Sequence, residues 1–82
     1  MASLSITAKE LIRLLTLDGW VETRWTLHGL GMAKRFPDGR IKVTVIPRRG
    51  VLPPGTLAAI LGTKQTGLGR TGLEALIRKY GR

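Results

Sequence analysis

The chain contains no cysteine, a single histidine and only five acidic residues among its 82. Without thiols it forms no disulfide and offers no thiolate ligand to a metal ion. One imidazole and five scattered carboxylates provide no cluster at metal-ligand spacing, so we expect no metal and no other cofactor. These absences exclude the disulfide-stapled secreted domains and the zinc and calcium proteins.

Long apolar runs are also missing from the sequence. The longest candidate, at residues 51–61, is interrupted by Pro53, Pro54 and Gly55. It falls well short of the roughly 20 apolar residues that a bilayer-spanning helix needs. The first five residues lack the charged start and apolar core of a signal peptide. We therefore expect a soluble protein of the cytoplasm that does not bind a membrane.

Positive charge, by contrast, is abundant. Fourteen Lys and Arg face five Asp and Glu, which gives a net charge of +9. Eight of the cations lie within residues 34–70, where the only acid is Asp38. Such an excess repels itself in a folded protein, and nucleic-acid phosphates neutralise it with release of counterions. The composition favours nucleic-acid binding over a basic surface that serves solubility alone. An anionic membrane is a weaker alternative, because no basic amphipathic helix is evident.

Three segments carry the pattern of helices. Thr7 and Glu10 form a capping box ahead of apolar residues at helical spacing, which predicts a helix over residues 8–17. A Pro-Gly-Thr start predicts a short helix over residues 56–61. A second capping-box pattern at Thr71 predicts a final helix.

Between the first two helices the sequence predicts three strands, over residues 20–27, 29–36 and 40–46. The last two are joined by a turn at Pro37-Asp38-Gly39, whose Pro and Gly suit its backbone angles. Small size and the element order then predict a single α+β domain. Its fold is a three-stranded antiparallel sheet with helices on one face and an extra C-terminal helix.

The last predicted strand assigns side chains to the two faces of the sheet. Ile41, Val43 and Val45 alternate with Lys42 and Thr44, so the two sets point in opposite directions. Because we expect helices on one face only, we predict that the face carrying Lys42 stays open for a partner.

Three segments together resemble the HicA toxin family. They are TAKELIRLLTLDGW at residues 7–20, PDGRIKVTVIPRRG at residues 37–50 and LPPGTLAAIL at residues 52–61. They stand in the family's order and close to its spacing, and they cover roughly half of the chain. Residues 62–82 depart from the family pattern and are interpreted as a divergent extension of one domain spanning residues 1–82.

The resemblance implies a double-stranded-RNA-binding-like α-β-β-β-α fold. It also implies the toxin of a type II toxin-antitoxin system, an endoribonuclease that cleaves mRNA and is neutralised by a HicB-like antitoxin protein. The family carries a catalytic histidine on its second strand. Counting back from Pro37 places Gly31 at that position, whereas counting forward from Trp20 brings His28 next to it. The alternatives are an active nuclease and a non-catalytic RNA-binding module or antitoxin-docking protein on the same fold.

His28 is thus the candidate catalytic residue. Metal-independent RNA cleavage needs a base for the 2′-OH proton, an acid for the leaving oxygen and a cation beside the phosphate. Imidazole suits the first two roles, and guanidinium suits the third. The alternative is that His28 is an ordinary turn residue. The candidate RNA-binding residues are Lys34, Arg35, Arg40, Lys42, Arg48 and Arg49. The expected partners are mRNA and the antitoxin, with no DNA binding by the protein alone.

Trp25 is the remaining candidate for a contact with RNA. An exposed indole can stack on an unpaired base. A tryptophan in a strand more often packs in the core or along the sheet edge, and that is the role we expect for Trp25.

Overall fold

The computed structural model describes residues 4–48 and 50–82, so Arg49, a predicted phosphate contact, lies outside the described residues. Three strands form one antiparallel sheet in the order β1-β2-β3. The predicted α+β class, with a three-stranded antiparallel sheet and an additional C-terminal helix, is confirmed. The elements are α1 (Ala8–Leu17), β1 (Val21–Thr26), β2 (Gly29–Arg35), β3 (Ile41–Ile46), α2 (Pro54–Leu61) and α3 (Gly69–Tyr80).

Helix α1 begins at the capping box that the sequence predicts. The Thr7 backbone N–H donates to Glu10 Oε1 at 2.9 Å, and the Glu10 N–H donates to Thr7 Oγ1 at 3.1 Å. The pair satisfies two backbone donors that the helix itself leaves without acceptors. On its inner side α1 buries Leu11, Leu14 and Leu15.

Helix α3 begins two residues before the predicted capping box, so that prediction is wrong. Thr71 lies inside the helix, and no side chain caps its first turn. At the junction between α2 and α3, the hydrogen bonds are made instead by the hydroxyl of buried Thr66. It donates to the Ile60 carbonyl at 2.7 Å and accepts the Leu68 N–H at 3.3 Å. Thr66 thereby joins the end of α2 to the start of α3.

One face of the sheet is buried under the helices. On β2 this face carries Leu30 and Met32, which lie opposite Ile46 and Thr44 of β3 in the register. All four side chains are buried. The other face is exposed, and its Val43 retains 60% of its accessible surface. Among the described residues, no helix is both long enough and apolar enough to cross a membrane.

The prediction that Lys42 lies on the open face is wrong. Lys42 shares the face of Thr44, which is only 3% exposed. Burial of this polar side chain is possible because its hydroxyl donates to Gln65 Oε1 at 2.6 Å. The large apolar residues of β2 point to the same side, so neighbouring-strand packing decides which face of β3 is covered. The open face is therefore mainly apolar.

Candidate nucleic-acid interface

The candidate catalytic residue, His28, lies in the turn between β1 and β2. Its backbone N–H donates to Thr26 Oγ1 at 3.1 Å, and its side chain is exposed. Within the described ranges no residue hydrogen-bonds to the imidazole. Strand β2 begins at Gly29, so His28 precedes the strand, whereas Gly31 lies on it.

The predicted cations lie at both ends of the sheet rather than around His28. Lys34 and Arg35 end β2, and six residues of strand at about 3.3 Å each separate them from the turn by roughly 20 Å. Arg48 lies at the same end as the turn, because Gly29 sits directly against the carbonyl of Ile46. Of the described candidates, Arg48 is thus the one that shares the His28 end of the sheet.

Two of the predicted phosphate contacts are engaged with carboxylates. Lys34 Nζ lies 3.2 Å from Asp18 Oδ2, and Arg40 Nε lies 2.7 Å from Asp38 Oδ2. The Arg40 backbone N–H, and then its guanidinium, lower the pKa of Asp38 from its ordinary value. Lys34 and Arg40 therefore present a partly neutralised charge to any phosphate.

Lys42 lies on the helix-covered side, close to an aromatic ring. Its Nζ lies 5.8 Å from the centroid of Phe36, and Lys34 Nζ lies 5.2 Å from the same centroid. Attraction between an ammonium group and a ring face operates at these distances. The two lysines thus gather around Phe36 at one end of the sheet, away from the open face.

Trp25 is 51% exposed, which differs from the packing role that the sequence predicts. Its ring centroid lies 5.6 Å from the guanidinium carbon of Arg48, which is also exposed. The indole is uncovered because β1 is an edge strand and helices α1 and α2 lie mainly against β3 at the opposite edge. Trp25 and Arg48 form an exposed pair that sequence patterns alone do not reveal.

A groove of about 620 Å³ runs between β1, β3 and α2. Its lining includes Arg24 from β1, Gly31 from β2, Val45 from β3 and Lys64 after α2. Neither Arg24 nor Lys64 is among the binding residues predicted from the sequence. Lys64 lies in the acid-poor stretch of residues 34–70, so the charge pattern of the sequence could have identified it as a binding residue. Nothing in the sequence around Arg24 distinguishes that residue.

Most of the carboxylates are used within the molecule. Asp18, Asp38 and Glu74 pair with cations, and Glu10 belongs to the capping box of α1. Within the described ranges, several exposed cations have no carboxylate at salt-bridge distance; those at the sheet and the groove are Arg24, Arg35, Arg48 and Lys64. Among residues 4–48 and 50–82, no three His, Cys, Asp or Glu side chains form a group that could hold a metal ion.

No family model matches the chain, and comparisons with curated proteins and with solved structures return no significant match.

Proposed function

We propose that the protein binds RNA through its excess of unpaired positive charge. The observation that carries the proposal is the distribution of its charges. Three of five carboxylates are engaged in internal ion pairs, while Arg24, Arg35, Arg48 and Lys64 have no such partner among the described residues. Phosphate contacts from such residues position a nucleic acid and supply affinity that falls steeply with salt.

The HicA resemblance supports RNA as the polyanion. The α+β class with its three-stranded antiparallel sheet is compatible with the double-stranded-RNA-binding-like fold of that family. We therefore place the chain in this finer fold class as part of the same proposal. The position of Gly31 on β2 and of His28 before it favours the non-catalytic form of the function.

Titration of labelled RNA at several salt concentrations tests the proposal. The logarithm of the binding constant is expected to fall linearly with the logarithm of salt concentration. In the double variant Arg24→Gln/Arg35→Gln the slope is expected to decrease by about one for each phosphate that the variant no longer binds. The matched control Lys9→Gln/Arg78→Gln removes the same charge from helices α1 and α3 and should retain most of the slope. Binding that does not depend on salt, or equal losses in both variants, contradicts the proposal.

Cleavage of mRNA by a HicA-type toxin is the second candidate function. It is favoured by one observation, the exposed imidazole of His28 at the sheet end that also carries Arg48. The expected outcome is growth arrest and RNA fragments on expression, both abolished by His28→Ala with thermal unfolding unchanged. Unchanged toxicity in the folded variant removes His28 from the mechanism. Salt-sensitive RNA binding without RNA fragments would instead support the non-catalytic RNA-binding module.

An acidic HicB-type antitoxin is the partner that we propose for the open face of the sheet. Val21, Ile41 and Val43 are each more than half exposed there, and Arg24 and Arg35 lie on the same face in the register. An apolar patch with a cationic border is complementary to an acidic protein surface. Val43→Lys should prevent co-purification with an acidic protein encoded by the neighbouring coding region. The control variant Leu27→Lys, in the β1–β2 turn, should still co-purify with that protein. Co-purification of the acidic protein with the Val43→Lys variant refutes this interface.

A further inference from the structure

The two tryptophans of the chain differ sharply in their surroundings. Trp20 is 2% exposed and packs edge-on against Phe36, with 6.4 Å between the ring centroids. Trp25 is half exposed and is absent from the hydrophobic core and from the residues that pack against it. Trp20, Phe36 and Tyr80 thus supply the aromatic packing of the core, and that packing does not include the indole of Trp25.

The position of Trp25 in the sheet explains its exposure. It lies opposite Leu30 in the register, so its side chain starts on the helix-covered face. Leu30 is buried beneath the helices, whereas β1 lies at the edge beyond them. A large apolar ring held there on a paired strand is pre-organised to receive a flat ligand.

Arg48 supplies the charge that complements this ring. Its guanidinium carbon lies 5.6 Å from the Trp25 centroid, and no described carboxylate lies within salt-bridge distance of it. Arginine stacks on aromatic faces while its N–H edges donate to phosphate oxygens. One residue thereby contacts both the ring and the backbone of a nucleic acid.

We infer that Trp25 and Arg48 form a stacking site for one unpaired base, with the adjoining phosphate accepting an N–H from Arg48. The inference rests on the proposed RNA binding and specifies its substrate class, an RNA with single-stranded nucleotides. Bases inside a duplex have both faces covered by their neighbours and cannot stack on a side chain, whereas bases in loops and single strands can. This site selects unpaired RNA, unlike the cationic contacts, which act on any phosphate chain.

Intrinsic fluorescence gives a direct test, because an exposed indole is quenched by a stacked base while the buried one is shielded. The probes are an unstructured RNA oligonucleotide, the same oligonucleotide paired with its complement, and inorganic polyphosphate. The single-stranded oligonucleotide is expected to quench the fluorescence of Trp25. In the Trp25→Ala variant the same oligonucleotide should cause no quenching. Trp25→Ala should weaken single-strand binding by about ten-fold, within the range known for base–aromatic stacking. Trp25→Phe should recover part of that loss.

The controls separate stacking from charge and from folding. Leu17→Ala changes an exposed apolar residue at the end of α1 and should leave single-strand affinity unchanged. Polyphosphate affinity should be the same in the wild type and in Trp25→Ala. Two results would overturn the stacking site while leaving the proposed RNA binding intact. One is salt-dependent RNA binding that shows no preference for the single strand, and the other is salt-dependent RNA binding that Trp25→Ala does not weaken. Absence of salt-dependent RNA binding in the wild type overturns both.

Discussion

Gly29 is the glycine at which an added Cβ would come closest to another part of the chain. Its φ angle of +137° lies in the region that side chains rarely adopt. A Cβ built on it would lie 2.0 Å from the carbonyl oxygen of Ile46. The turn that carries His28 can close against the end of β3 because this position has no side chain.

We predict that Gly29→Ala lowers the free energy of unfolding by about 3 kcal/mol or more, since it adds a backbone clash to an unfavourable φ. Gly39→Ala is the matched control. Its φ is +90°, yet a Cβ there meets nothing within 4 Å, so only conformational strain of about 1–2 kcal/mol is expected. Urea unfolding of the two variants measures the difference. Equal losses of unfolding free energy in the two variants would show that the contact with the Ile46 carbonyl adds nothing to the destabilisation.

At the scale of single residues, the sequence identifies which side chains carry charge but not which groups they contact in the fold. The partner of Lys34 is Asp18, sixteen residues away, and no local pattern connects the two. The alternation in β3 separates Lys42 and Thr44 from the valines, yet burial of that side depends on Leu30 and Met32 of the neighbouring strand. The exposure of Trp25 likewise depends on where the helices end. Long-range packing therefore determines the parts of the candidate site that sequence patterns miss.

At the scale of whole elements, local signals give the more accurate predictions. Helix α1 has the predicted bounds, Ala8–Leu17, because its capping box and its apolar spacing both lie within the segment. The strands end within one residue of the predicted limits. The start of α3 is misplaced because Thr66, outside the predicted helix, makes the hydrogen bonds at that junction.

The capping box of α1 also makes stability depend on pH. The hydrogen bond from the Thr7 backbone N–H is the largest cause that lowers the pKa of Glu10 from its ordinary value of 4.5. Because the folded state binds this proton less tightly, the stabilisation is complete above the ordinary value. It disappears as pH falls through the lowered folded pKa.

We therefore predict a smaller loss of stability on acidification in Glu10→Gln than in the wild type. Glutamine still accepts the Thr7 N–H at this position but does not titrate. Chemical unfolding of both proteins from neutral to acidic pH provides the measurement. The remaining acid sensitivity is expected to include Asp38, whose pKa is also lowered. Identical pH profiles would remove Glu10 as a source of the dependence.

For the molecule as a whole, we expect repulsion among cations to outweigh the internal ion pairs. The three salt bridges of the described residues, each partly or largely exposed, contribute about 0–1 kcal/mol apiece. Against them stands a net charge of +9 on a small domain. Added salt screens both effects, over a distance of about 10 Å at 0.1 M. Because the repulsion is the larger, screening should stabilise the folded protein.

We predict that the thermal unfolding midpoint rises as sodium chloride is increased from low to physiological ionic strength. The Arg24→Gln/Arg35→Gln variant, which lowers the net charge by two, should show a smaller rise. Calorimetry in a dilute buffer series makes the comparison. A midpoint that falls with salt would mean that the ion pairs outweigh the repulsion.

The irregularity in β1 affects how copies of the protein meet. The register shifts between Glu22 and Arg24, so Thr23 is the extra residue of a bulge on an outer strand. A straight, regular outer strand next to an exposed apolar face acts as a template for endless strand addition, the route to fibrils. A bulge twists the strand and breaks the even spacing of its free N–H and C=O groups. We therefore expect Thr23 to oppose the addition of a further strand along the β1 edge, beside the exposed apolar face.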